Sequence, residues 1–306
     1  MAVFLTGGGG KTSVRIASLL KDRGTPFLLG SRRGEAAAPP GMAAIKFDWL
    51  DPSTFSIPFQ HSFPEGERIS GIYLIAPEVA EPGPLMNAFI DHAVKEHRVK
   101  RFVLLAGNHI EPGGFNVGKV WQHLLDLNVE YCVLRPTWFM GTNRQLICQA
   151  HTNDGVLTPE NFSEGGHLFT IRHERKIYTG CRDGKIPFIS ADDIAAVAMH
   201  CLVDEKAHNT DYRLLGPELL THDEVAAKLS HVLGCEILHV KETHEERMRR
   251  YGEYGLEQGL AQLLAWLEDE SAKGAEVRFS DAVEKVTGRP SLTFDAFAQR
   301  NKAIWQ

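Results

Sequence analysis

Between Thr6 and Ser13 the chain reads TGGGGKTS. A run of glycines ending in a lysine and two hydroxyl residues suits the holding of a phosphate. The glycines let backbone N–H groups approach oxygens, and Lys11 and Thr12 add a charge and a hydroxyl. Two spacings compete. A P-loop, GxxxxGK[ST], ends correctly at Gly10-Lys11-Thr12 but needs a glycine where Leu5 stands. Its variant with a lysine before two glycines needs that lysine at Thr6. The dinucleotide spacing GxxGxx(G/A/S) fits at Gly7, Gly10 and Ser13. Gly7 then serves the tight turn, Gly10 the approach to a pyrophosphate, and Ser13 close helix packing.

The next chemistry-bearing group lies about 20 residues further on, where an acidic residue would bond a ribose 2′-hydroxyl. The chain has Ser31-Arg32-Arg33 there instead. Two guanidiniums match a phosphate and are always charged. The pair predicts NADP(H), recognised through its 2′-phosphate, and disfavours the ATPase reading.

The elements that must position these groups alternate. Apolar runs at Ala2–Leu5, Pro26–Leu29, Ala44–Phe47, Gly71–Ala76, Arg101–Ala106 and Tyr131–Leu134 are separated by helical spacing at Val14–Lys21, Leu85–Lys95 and Val117–Leu127. Such alternation predicts βαβ units: an α/β NAD(P)-binding Rossmann fold with a doubly wound parallel sheet. Lys185–Leu202 reads as a strand and a helix, with Ser190 as N-cap and Asp193 as its capping-box partner; Asp192-Asp193 reads as a helix start. Residues 150–170 read as loops or a hairpin. From Thr221 onward the chain reads as mostly helical, with Leu256–Leu267 at helical spacing and Gly274 as an interruption. These patterns predict a Rossmann domain at 1–144 and 185–206. A smaller, mainly helical substrate domain would take 145–184 and 207–306.

Composition bounds the partners. The 306 residues carry a formal net charge of −6, with 43% hydrophobic and 24% charged residues. With no long basic run, nucleic acid is not expected. No run approaches the roughly 18 apolar residues of a membrane span, so no membrane is expected either. Five scattered cysteines without a CxxC point to reduced thiols and a cytoplasmic location. The 14 histidines show no HExxH or similar spacing, so no metal is expected.

GGGGKTS after a strand, then SRR, YLIAP, VKRFVLLAG, LRPTWFM and KIPFISADDIAAVA together resemble the NmrA-like branch of the atypical short-chain dehydrogenases/reductases over roughly residues 1–215. Within it the chain resembles the fungal ergot-alkaloid reductases, the festuclavine and agroclavine dehydrogenases. The ending TGRPSLTFDAFAQRNKAIW is similar to theirs as well. The resemblance implies further cofactor contacts: Asp48 at adenine, Ala76 and Pro77 after the fourth strand, Gly107 and Asn108 after the fifth, and Pro136 and Thr137 beside the nicotinamide. All follow strand ends, where open α/β sheets bind ligands.

One departure matters. Short-chain dehydrogenases at large use YxxxK, and the matching window here is Phe115-Asn-Val-Gly-Lys119. A phenyl ring cannot supply the proton that ketone reduction needs, whereas an iminium is neutralised by hydride alone. Phe115 therefore predicts a C=N⁺ substrate, with Lys119 holding the nicotinamide ribose. His109 is the first alternative as a proton donor. Trp138, Phe139 and Met140 offer aromatic and thioether surface for an indole and its cation. His109 and Glu111 could meet the substrate nitrogen, and Tyr251 and Tyr254 could close the pocket. The expected partner is a small indole alkaloid, the protein acting as a monomer or homodimer. Two other readings share the cofactor: a redox-assisted cyclase on a prenylated indole, and a non-enzymatic NADP(H) sensor.

Overall fold

The computed structural model describes residues 1–77, 79–140 and 165–306. Strands β1 (Ala2–Thr6), β2 (Phe27–Ser31), β3 (Ala44–Lys46), β4 (Ile69–Leu74), β5 (Arg101–Leu105) and β6 (Glu130–Pro136) follow the expected apolar runs to within two residues at either end. The intervening helices are α1 (Lys11–Asp22), α2 (Ile57–Gln60), α3 (Gly83–His97) and α4 (Gly118–Asp126). With β7 (Lys176–Thr179), β8 (Thr210–Leu214) and β9 (Leu238–Lys241) the strand set is complete for the described residues.

Seven strands form one sheet in the order β3-β2-β1-β4-β5-β6-β8, and every pairing is parallel. The chain runs outward from β1 to β3, then returns to β4 and runs the other way. The crossovers cover both faces of the sheet: α3 packs beside α4, and α1 packs beside the helix Ala191–Val203. The reversal leaves a crevice between β1 and β4 at their carboxyl ends. Residues 2–6 are all buried, as a central parallel strand covered on both faces must be.

Three features differ from the sequence expectation. β8, TDYRL, is a half-exposed edge strand whose polar residues give no strand signal; only its pairing with β6 defines it. KIPFIS forms no continuous strand. Pro187 lacks an N–H, and only isolated bridges remain, Ile186 to Leu220 and Ile189 to Phe139. Within 150–170, residues from Gly165 onward begin a helix, Gly165–Glu174, rather than a loop or hairpin; the rest of that stretch lies outside the described residues. The helix Ala191–Val203 does begin directly after Ser190. The helix Gln258–Ala272 stops short of Gly274, whose φ is +88°.

The described chain divides into two compact units. One comprises Met1–Pro136, Ala191–Leu214 and Ala282–Gly288; the other comprises Thr137–Ser190, Leu215–Asp281 and Arg289–Gln306. Relative to the expected boundaries, β8 and the helix Ala282–Thr287 therefore go with the sheet, while residues 137–140 and 185–190 go with the second unit. The 145–164 part of the expected second lobe lies outside the described residues. The second unit holds β7 paired in parallel with β9, together with helices.

In the first unit an aromatic cluster packs α3 onto the sheet. Phe89 meets Phe47 at 4.9 Å, Phe55 at 5.2 Å, Trp49 at 5.5 Å and Phe4 at 6.1 Å between ring centroids. Phe89 is fully buried, so truncation leaves a cavity that these four aromatic neighbours cannot easily fill. Phe89→Ala is expected to destabilise the protein by about 3–5 kcal/mol, read as a lowered denaturation midpoint. A loss below about 1 kcal/mol would show that the cluster collapses into the gap.

Candidate active site

The glycine turn lies at the carboxyl end of β1. Gly7 has φ +64°, which favours glycine, and its carbonyl accepts the Gly10 N–H at 2.7 Å. A Cβ on Gly10 would sit 2.9 Å from that carbonyl oxygen, so a side chain is excluded there. The Gly8 N–H donates to the Gly30 carbonyl at 2.9 Å, tying the turn to β2. α1 starts at Lys11 with no side-chain cap and no acidic residue in its first turn. No carboxylate of its own first turn therefore offsets the positive end of its dipole. Ser13 is fully buried and its hydroxyl donates to the Thr6 carbonyl at 2.7 Å. Thr12 departs from expectation: its side chain is buried, and its hydroxyl accepts from the Tyr73 phenol at 3.0 Å rather than facing the turn. Burial holds that phenol above its ordinary range.

Ser31 ends β2, and Arg32 and Arg33 follow it, both exposed. The Arg33 N–H donates to Ser31 Oγ at 3.3 Å. The arginine pair therefore stands beside the glycine turn at neighbouring strand ends. Asp48 lies two residues beyond β3 and accepts the Leu50 N–H at 3.0 Å, so its carboxylate shapes its own turn. Ala76 and Pro77 follow β4, half-buried. Gly107 and Asn108 follow β5; the Asn108 N–H donates to the Pro136 carbonyl at 3.0 Å, joining the ends of β5 and β6.

Arg135, one residue before the end of β6, was not singled out from sequence. An arginine inside an apolar run was the available signal. It is buried and donates to Asp211 at 3.0 Å, to the Asn108 carbonyl at 3.1 Å and to Glu111. Glu111, expected at a substrate nitrogen, is instead held by Arg135, with Arg213 3.5 Å away. His109 lies between Asn108 and Ile110 in the turn after β5 and is half-buried.

Phe115 does not share a helix with Lys119. It lies in the turn before α4, 50% exposed, and its carbonyl accepts the Gly118 N–H at 3.0 Å. The next residue, Asn116, has φ +52°, which keeps the helix from starting earlier. Lys119 Nζ pairs with Glu81 at 2.6 Å, both side chains being well exposed.

Residues 137–140 divide between polar anchoring and packing. Thr137 Oγ1 donates to Glu276 at 2.7 Å, and the Trp138 indole N–H donates to Ser271 Oγ at 3.3 Å. Phe139 is half-buried and bridges to Ile189. Met140 is buried in the apolar core of the second unit, against which the partly buried Trp138 also packs. With Phe188, Phe294 and Phe297, Met140 lines a cavity of about 50 Å³ that also meets His167 and His222. Tyr251 is fully buried and cannot act as a closing side chain. Its hydroxyl accepts from Arg247 at 2.7 Å and donates to Glu268 at 2.9 Å. Tyr254 caps the helix His244–Glu253 and packs on the small apolar cluster around Tyr251.

Among the described residues, no group of three or more His, Cys, Asp or Glu is placed to hold a metal ion. No described helix is long and apolar enough to cross a membrane.

No protein-family model matches the chain. It is 40% identical over 310 residues to the agroclavine dehydrogenase of Claviceps fusiformis, covering 100% of this chain and 99% of that protein. It is also 40% identical over 313 residues to the festuclavine dehydrogenase of Aspergillus fumigatus, covering 100% and 99%. Among solved structures it resembles an NADPH-dependent quinone oxidoreductase of Escherichia coli complexed with NADPH. The TM-score is 0.73 at 19% identity, over 99% of this chain and 98% of that one. That likeness shows the fold.

The cavity histidines make stability depend on pH. Burial, then the repulsion that the neighbouring His167, His239 and Arg247 would offer a second charge, hold the His222 imidazole well below its ordinary 6.5. Burial holds His167 down to about 3. Both are neutral when folded, and both take up a proton below 6.5 when unfolded. Their contribution is therefore complete above pH 6.5 and is lost as pH falls from there toward about 3. We expect a loss of about 1.4 kcal/mol per pH unit below 6.5 for His222. Denaturant unfolding at pH 7 and pH 5 checks this, and His222→Phe should flatten the dependence.

Proposed function

This chain belongs to the family of the festuclavine and agroclavine dehydrogenases, and from that premise we propose that it is an NADPH-dependent reductase of an iminium carbon in indole-alkaloid chemistry. The residues present fit the cofactor. The glycine turn has no room for a side chain at Gly10, the first turn of α1 carries no acid, and Arg32 and Arg33, exposed just beyond β2, supply the positive charge that a 2′-phosphate calls for. Gly7, Gly10 and Lys11 would hold the pyrophosphate, with Asp48, Ala76, Pro77, Gly107, Asn108, Pro136 and Thr137 along the rest of the molecule. Bound there, NADPH supplies a hydride.

The observation that carries the substrate reading is Phe115. It takes the tyrosine's place, lies outside α4, and offers no hydroxyl beside Lys119. A ketone gains negative charge on oxygen as hydride arrives and needs a proton there. An iminium loses its positive charge instead and needs none. Lys119 is then a ribose-binding cation that would exchange its surface pair with Glu81 for the cofactor, and Trp138 and Phe139 supply flat apolar surface for an indole. The single test is to supply NADPH with one preformed cyclic iminium and its isosteric ketone. We expect the iminium to be reduced at least about a hundredfold faster, the usual worth of a missing general acid. Equal rates would overturn the reading, and ring closure without NADPH consumption would favour a cyclase.

The cofactor choice has its own test. Losing a charge-assisted contact weakens binding by about 10- to 100-fold. Arg32→Ala and Arg33→Ala should therefore raise the Kd of NADPH by that factor and leave NADH unchanged. Equal affinity of the parent protein for NADPH and NADH would contradict the assignment.

A further inference from the structure

In GIYLIA the tyrosine reads as one more core residue. In the structure Tyr73 is fully buried in β4, level with Leu5 of β1 across the parallel pairing. It reaches the glycine turn from both sides. Its carbonyl accepts from the Thr6 hydroxyl at 2.9 Å, on the strand side of Gly7–Gly10. Its phenol donates to the Thr12 hydroxyl at 3.0 Å, on the helix side. Two residues on, Ile75 floors the turn: its Cδ1 would stand 3.0 Å from a Cβ on Gly7 and 4.0 Å from one on Gly10. Burial raises the phenol above its ordinary range, so it keeps its proton and donates.

The span between strand end and helix start decides where the first N–H groups of α1 lie. Thr12 is the second residue of α1, so its N–H is among those a helix leaves without an intrahelical acceptor. Such groups bind phosphate when they converge on one place. Within the turn, Gly8 bonds Gly30 and Gly10 bonds Gly7 through backbone alone, and glycine leaves the backbone the freest of any residue. A buried side-chain bond across the turn removes part of that freedom. The Thr12 side chain faces Tyr73 rather than the turn, and the bond that holds it also fixes the N–H of the same residue.

We propose that Tyr73 is a positioning residue for the cofactor's pyrophosphate: by holding Thr6 and Thr12 at one span, it sets the N–H groups at the start of α1. This rests on the NADP(H) site described above and not on the substrate. Tyr73→Phe removes only the phenol oxygen, and Thr12→Val exchanges the accepting hydroxyl for a methyl. The measurements are the Kd values of NADP⁺ and of adenosine 2′-phosphate, which lacks the pyrophosphate, by calorimetry, with the denaturation midpoint of each variant. We expect Tyr73→Phe to raise the Kd of NADP⁺ about fivefold, the worth of one hydrogen bond, and that of adenosine 2′-phosphate by less than about twofold. Thr12→Val should do the same. The double variant leaves neither partner unpaired, so its midpoint should return toward the parent's while the Kd of NADP⁺ stays raised about fivefold. A bond with a structural role alone would give an affinity that recovers with the midpoint, and that result overturns the proposal. So does an equal loss for both ligands, or an NADP⁺ change under about twofold. Should Tyr73→Phe not fold, the double variant carries the same comparison. A parent that binds neither ligand would sink the cofactor site and the proposal with it. A parent that shows the expected pattern but reduces no iminium would sink only the reductase reading.

Discussion

The hydroxyl and carbonyl of Thr6 hold together the place where the strand order reverses. The hydroxyl donates to the Tyr73 carbonyl at 2.9 Å and accepts the Ile75 N–H at 2.8 Å, and the carbonyl accepts from Ser13 at 2.7 Å. A crevice between β1 and β4 exists because the loops beyond them diverge, and diverging loops leave backbone groups without ladder partners. A buried polar group left unpaired costs about 1–3 kcal/mol. Thr6 answers that cost with one small side chain. It pins β1, α1 and β4 at a single point, and the Tyr73 phenol repeats the device at the second residue of α1 by bonding Thr12. With both ends of the glycine turn held in this way, the turn itself can be all backbone, which is what lets it approach a phosphate.

A second constraint is charge inside the fold. Arg135 brings a guanidinium into the sheet's interior, where an uncompensated charge would be strongly unfavourable. Its contacts to Asp211 and Glu111 supply opposite charge, and its contact to the Asn108 carbonyl supplies an acceptor. It also lies over the Trp121 ring at 5.4 Å. One side chain thereby relates β6, β8, α4 and the turn after β5. The second unit contains its own version. Arg247 bonds Glu268 at 2.7 Å, Glu242 at 3.0 Å and Tyr251 at 2.7 Å, all of them buried. Such sets are weak evidence of net stability, but they are intolerant of rearrangement, since moving one member strands the others. Tyr251 and Glu111 look like free functional groups in sequence and turn out to be members of these sets.

How much of this was legible depends on how local each cause is. The glycine turn and Arg32-Arg33 were readable because a left-handed φ, a close backbone approach and a missing carboxylate are properties of single positions. Six strands were readable because a parallel strand buried on both faces must be a continuous apolar run. β8 was not, because an edge strand is half solvated and TDYRL owes its state to β6. That Phe115 has no hydroxyl is a covalent fact, determined by the sequence alone. That it lies in a turn, half exposed and off the helix that carries Lys119, was decided by Asn116 adopting a left-handed φ in the folded chain. The aromatic run Trp138–Met140 was visible, but its division between a polar anchor and a core methionine was not. Thr137 and Glu276 are 139 positions apart, and no window of sequence contains both. A sequence states which groups exist and how neighbouring ones repeat. Which distant polar groups must meet is settled only when packing removes water from both and leaves each as the other's partner.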